Sequence, residues 1–130
     1  MQRLQFLSAV TLSSSGQTPA FSLGDSTQGA VTVNITAASG TSPKFTAFLQ
    51  ESDDGGTTWF DVAAARVQKT TTAATEETAT LDDRNICTEA AAAGLFRAHY
   101  DGLDSDYYRL KYVISGTDPQ FTVSATLNAK

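Results

Sequence analysis

Alternation with a period of two runs through most of this chain, and it leaves little room for anything but an all-β fold. Val31, Val33 and Ile35 alternate with Thr32, Asn34 and Thr36, and Phe45, Ala47 and Leu49 with Thr46, Phe48 and Gln50. Leu110, Tyr112 and Ile114 alternate with Arg109, Lys111 and Val113, and Phe121, Val123 and Ala125 with Thr122, Ser124 and Thr126. Trp59, Asp61 and Ala63 oppose Phe60 and Val62 in the same way. Successive side chains of a strand point to opposite faces, so each such run gives one apolar side to bury. The runs are short and broken by Gly, Pro, Asp and Ser, while helical periodicity is scarce. The expected fold is an antiparallel β-sandwich, jelly-roll or immunoglobulin-like, of about eight strands.

The length of 130 residues suits a single domain spanning 1–130. A chain of this size buries roughly two-thirds of its surface on folding, so its core needs neither a metal nor a disulfide. Cys87 is the only cysteine, which excludes an intrachain bridge. It reads as an idle buried thiol rather than a nucleophile, in keeping with folding in a reducing cytoplasm. The net charge is −5 and no basic run is present. Nucleic acid and anionic membrane are therefore unexpected partners, since binding a phosphate backbone needs clustered Lys and Arg. No apolar stretch reaches the roughly 18–20 residues that cross a bilayer. Residues 1–14 carry a faint trace of a signal peptide, but Gln5 and Ser8 interrupt the apolar part. Leu4, Phe6, Val10 and Leu12 alternate with Gln5, Ala9 and Thr11, so the segment reads as an N-terminal strand or arm.

An internal echo stands out. Ser39-Gly40-Thr41-Ser42-Pro43-Lys44-Phe45-Thr46 resembles Ser115-Gly116-Thr117-Asp118-Pro119-Gln120-Phe121-Thr122. Each copy follows one alternating run and opens another, which reads as a hairpin connection used twice. Gly40 and Gly116 supply positive φ if the turn needs it, and Pro43 and Pro119 pre-set φ just ahead of a strand. These are turn residues rather than a ligand loop.

The sharpest local motif is Ser52-Asp53-Asp54-Gly55-Gly56-Thr57-Thr58-Trp59. It matches the Asp-box pattern Ser-x-Asp-x-Gly-x-x-Trp at Ser52, Asp54, Gly56 and Trp59. A short carboxylate at Asp54 accepts bonds from loop N–H groups, Gly56 takes a left-handed conformation, and Trp59 packs its ring as the next strand begins. A structural turn is the preferred reading. The alternatives are a calcium site at Asp53 and Asp54, which lacks EF-hand ligand spacing, and sugar binding through Trp59. Asp101, Asp104 and Asp106, with Gly102 and Ser105, form a second acidic loop that reads as a solvated turn ahead of a strand, the alternative being a calcium site built from its alternate oxygen ligands.

Residues 65–94 differ from the rest. Lys69 to Thr78 is polar and weakly patterned, a hairpin or extended excursion where a partner could be met. Thr88-Glu89-Ala90-Ala91-Ala92-Ala93-Gly94 predicts one short helix, with Thr88 as N-cap and Gly94 as C′ residue. Leu95 to Tyr100 then predicts a strand. His99 is the only histidine and has no nucleophile elbow, metal-binding His pair or phosphate loop to work with. Nothing pairs carboxylates for glycosidase chemistry. No catalytic set can be nominated, and no enzyme activity, cofactor or metal is expected.

The run "ITAASGTSPKFTAFLQESDDGGTTWFDV" and the later "YYRLKYVISGTDPQFTVSATL" resemble small β-sandwich proteins encoded in the structural modules of tailed bacteriophages. The matching features are residues 39–43, 50–59, 109–112 and 116–121. The resemblance covers 28–64 and 106–128; residues 65–105 match no nameable pattern. It transfers no functional residue, because the matching positions are turns and core. It implies a virion structural protein, made in the host cytoplasm. The place implied is the outer head surface, as a capsid decoration protein that clamps neighbouring copies of the major capsid protein. A homo-oligomer is expected, with a trimer favoured. The expected contact segments are 1–14 and 65–94. The alternative is a carbohydrate- or receptor-binding module, or a tail-associated accessory module. For glycan binding, Trp59, Phe60, Tyr107 and Tyr108 would need to form an exposed aromatic platform.

Overall fold

The fold is organised by two long strands that bend together. A computed structural model describes residues 2–62, 66–67, 69–72, 75–78 and 85–129. Among these the fold is all-β, sandwich-like and without a helix. In chain order the strands are β1 (Gln2–Leu12), β2 (Gly16–Gln17), β3 (Gly29–Ser52), β4 (Phe60–Asp61), β5 (Arg66–Val67), β6 (Lys69–Thr72), β7 (Thr75–Thr78), β8 (Asn85–Ala90), β9 (Gly94–Tyr100) and β10 (Tyr107–Ala129). β3 and β10 pair antiparallel along their whole length, from Tyr107 opposite Ser52 to Ala129 opposite Gly29.

The echoed motifs sit at the middle of this ribbon, opposite one another. Thr117 pairs with Thr41 and Gln120 with Ser39, and the register shifts on either side. The motifs are therefore not two hairpin turns, as the sequence predicts, but the two halves of one corner. Their conformations match. Gly40 and Gly116 have φ of 111° and 120°, and Ser42 and Asp118 have φ of 50° and 48°. A Cβ on Gly40 would lie 2.6 Å from the Asp118 carbonyl oxygen, and one on Gly116 would lie 2.8 Å from that of Ser42. Each glycine thus lets the other copy's Thr-x-Pro backbone approach closely, a second reason for glycine besides φ.

Beyond the corner each long strand serves a different layer. The first layer runs β1, the end of β10, the start of β3, then β9. β5 and β6 lie beside β9, and β6 pairs with β7. In the second layer the start of β10 and the end of β3 are flanked by β2 on one side and by β4 and β8 on the other. The apolar faces meet in one buried cluster that draws on both layers, including Val33, Ile35, Phe45, Leu49, Leu110, Phe121 and Leu127. Phe45 and Phe121 hold the same place in the two motif copies and touch at the fold, with ring centroids 5.3 Å apart. Phe6 of β1 meets Phe21 edge to face at 5.2 Å, and Phe21 bridges to Tyr108, which closes one side of the sandwich.

The short helix expected at residues 88–94 is absent. Thr88, Glu89 and Ala90 belong to β8, and Gly94 opens β9. Glu89 has φ of 47°, far from a right-handed helix, and its N–H donates to the Thr46 hydroxyl at 2.9 Å. The helix preference of an alanine run is a few tenths of a kcal/mol per residue, and pairing with β3 overrides it. The polar stretch is in part a hairpin: Lys69 pairs with Thr78 and Thr72 with Thr75. Within that expected excursion, residues 65, 68, 73–74 and 79–84 lie outside the described residues.

Candidate functional site

At one end of the sandwich three loops come together, and the Asp-box is the most ordered of them. Ser52 ends β3 fully buried. Its hydroxyl donates to Asp54 Oδ1 at 2.8 Å and accepts the Gly56 N–H at 2.9 Å. Asp54 Oδ1 also accepts the N–H groups of Thr57 at 3.1 Å and Thr58 at 2.8 Å. Gly55 and Gly56 take φ of 75° and 96°, which bends the loop back towards β4. The Trp59 indole N–H closes it on the Gly56 carbonyl at 3.0 Å. These donors favour the charged carboxylate. The Thr58 N–H contributes most, the Ser52 hydroxyl next, and Asp54 is held down at about 2. The bonds to Oδ1 all close within the loop itself.

The turn is fastened to its neighbours. The Ser52 carbonyl accepts the Asp106 N–H at 3.1 Å, and the Thr27 carbonyl accepts that of Leu103 at 2.8 Å. Asp25, Asp104 and Asp106 border an open hollow between the loops. Among the described residues no cluster of His, Cys, Asp or Glu has metal-binding geometry. Burial raises the Glu51 carboxyl above its ordinary range, and the Asp104 and Asp53 charges add to the rise.

The four rings expected to form a platform do not share a surface. Tyr108 is fully buried, and its hydroxyl accepts the Ser105 N–H at 2.9 Å. The Trp59 ring is covered by the Arg109 guanidinium at 4.2 Å, a cation–π contact. Arg109 Nε donates to Gln50 Oε1 at 2.9 Å, and Gln50 Nε2 donates to Asp61 Oδ1 at 3.0 Å, so the arginine is fixed over the ring. Phe60 and Tyr107 are exposed. Cys87 is buried in the core, where burial pushes its thiol up to about 12. His99 lies on the outer face of β9 opposite Ala30, in the first layer.

The outer face of that first layer is the feature sequence reasoning missed. Thr32 and Asn34 of β3 stand beside Thr126 and Ser124 of β10, with Gln5 of β1 and Arg97 of β9 at their flanks. The signal lay in the polar half of the alternation, Thr32-x-Asn34-x-Thr36 and Thr122-x-Ser124-x-Thr126-x-Asn128. A hollow of about 220 Å³ lies on this face, lined by Arg3, Gln5, Thr32, Leu95 and Ser124 among others. A second, of about 180 Å³, lies over Ala30 between His99, Arg97, Asp101 and Asn128.

No protein-family model matches the chain, and neither a curated protein nor a solved structure matches it.

Proposed function

We propose that this chain is a structural component of a tailed-bacteriophage particle: a capsid decoration protein that binds the outside of the head and stabilises the shell. It binds rather than catalyses. The supporting observation is the corner. Two of the four features behind the phage resemblance, residues 39–43 and 116–121, pack against one another at the corner. Part of the resemblance therefore falls on the element that folds the ribbon in two, and the rest on the Asp-box at 50–59 and the strand at 109–112. The working parts are a stiff block and its outward surfaces, and no cofactor enters the account. In a symmetric oligomer, with a trimer favoured, several weak contacts to neighbouring capsid subunits combine through effective concentration. Binding assembled shells in preference to free subunits stabilises the shell by mass action.

The test is to add purified protein to expanded heads of the phage that carries the gene. The expected result is density on the outer head in electron micrographs and heads that survive higher temperature. Density on the tail alone would support the tail-associated alternative, and no binding to either would overturn the virion reading.

A further inference from the structure

We propose that the outer face of the first layer, formed by β1, β10, β3 and β9, is a docking surface for an acidic protein segment. The proposal deepens the virion reading and rests on it for the partner's setting, but its chemistry comes from the face itself.

Charge is the first argument. The chain carries 14 acidic residues against 9 Lys and Arg. The described residues of β1, the start of β3, β9 and the end of β10 carry no carboxylate; Asp101, one residue past β9, borders the hollow of Arg97 and His99 at the rim of the face. The formal charges of the face itself are Arg3 and Arg97, both exposed, with His99 alongside. Six exposed acids, Asp25, Asp53, Asp54, Asp101, Asp104 and Asp106, sit on the loops at one end, and Asp61, Glu89 and Asp118 lie in the second layer and at the corner. A partner bearing carboxylates is thus attracted to this face and repelled from the loop end, so charge sets its orientation as well as its affinity.

Shape is the second. The face is paved with Thr, Ser and Asn, whose short side chains lose little rotamer freedom on contact. Leu95 is 45 % exposed, one of a handful of large apolar side chains left open. It lines the same hollow as Arg3. Arg97 stands two residues further along β9, on the same side of the strand. An apolar side chain flanked by carboxylates fits that combination. A sugar finds no exposed ring here to stack on. Four strands spaced about 4.8 Å apart give a patch narrower than a standard interface, which uses about 800 Å² per partner. Each contact is therefore weak on its own and suits repeated display.

The probe is a short synthetic peptide of glutamate and leucine, titrated into the isotope-labelled protein and followed by amide chemical shifts. Shifts should cluster at Arg3, Thr32, Leu95, Arg97, Ser124 and Thr126, and binding should weaken as salt rises. The double variant Arg3→Glu/Arg97→Glu should bind the peptide about tenfold more weakly or worse. Both positions are exposed, and an unchanged circular dichroism spectrum confirms the fold. Shifts confined to other surfaces, undiminished binding by the variant, or tighter binding of a DNA oligonucleotide at this face would each overturn the proposal. Adding the same variant to phage heads separates the two readings. If the parent protein binds heads and the variant binds equally well, the docking face falls and the virion reading stands. If the parent protein does not bind particles, the virion reading falls, and the peptide titration alone decides the face.

Discussion

The corner at Gly40 and Gly116 and the Asp-box at residues 52–59 are both glycine-bearing bends, yet they are held in opposite ways. The Asp-box is closed by its own residues: Ser52, Asp54, Gly56, Thr57, Thr58 and Trp59 bond to one another. The corner closes only when two distant stretches of chain meet, because what Gly40 must avoid is the backbone of Asp118 and Pro119. One bend can be read from eight consecutive residues. The other is defined by a partner that the local sequence does not contain.

That difference sets what was legible. The strand stretches at 31–36, 45–50, 109–114 and 121–126 follow from alternation, and the Asp-box from its spacing. The echo was visible as a repeat, but a Gly-Thr-x-Pro run has the chemistry of a tight turn, and nothing local says that its mate lies opposite. The helix expected at 88–94 failed for the same reason: the preference of the alanine run is local and weak, whereas the pairing that holds Ala90 to Phe45 of β3 is long-range. The polar outer face of the first layer was legible only as the unused half of the alternation.

Substitution separates the two bends most sharply. Gly40→Ala and Gly116→Ala should each destabilise the fold by about 3–4 kcal/mol, combining left-handed strain with a clash against backbone. The loop control Gly55→Ala, where nothing lies within 4 Å, should cost only about 1–2 kcal/mol from strain. Denaturant titration measures both, and equal losses would erase the distinction.

A smaller effect is expected inside the Asp-box. Ser52→Ala removes a buried hydroxyl that serves Asp54 and Gly56, and should lower stability by about 1–3 kcal/mol. Hydrogen exchange should quicken at Gly56 and Thr58 while the corner amides stay protected. Exchange that quickens at both places would mean the bends are coupled.

Acid should act on the loop and spare the corner. The Asp54 carboxyl is lowered from 3.8 to about 2 in the folded chain. Its contribution is therefore complete above the unfolded value and disappears as pH falls through about 2. Over that window stability should drop with pH in the parent protein, and Asp54→Asn should flatten the drop. An Asp54 titration midpoint near 4 would contradict the loop geometry.

The smallest effect concerns Cys87, packed among core residues close to the fold, with its thiol near the Phe45 carbonyl at 3.8 Å. Burial raises the thiol to about 12, so a thiol reagent at mildly alkaline pH should label the native protein hardly at all and the denatured protein fully. Fast native labelling would show that the core opens near the corner.

The most direct test of the folded ribbon is a set of proton–proton contacts by nuclear magnetic resonance. The fold described here predicts cross-strand contacts from Gly40 to Asp118 and Pro119, and from Gly116 to Ser42 and Pro43. Contacts confined within each motif, as two separate hairpin turns would give, would contradict it.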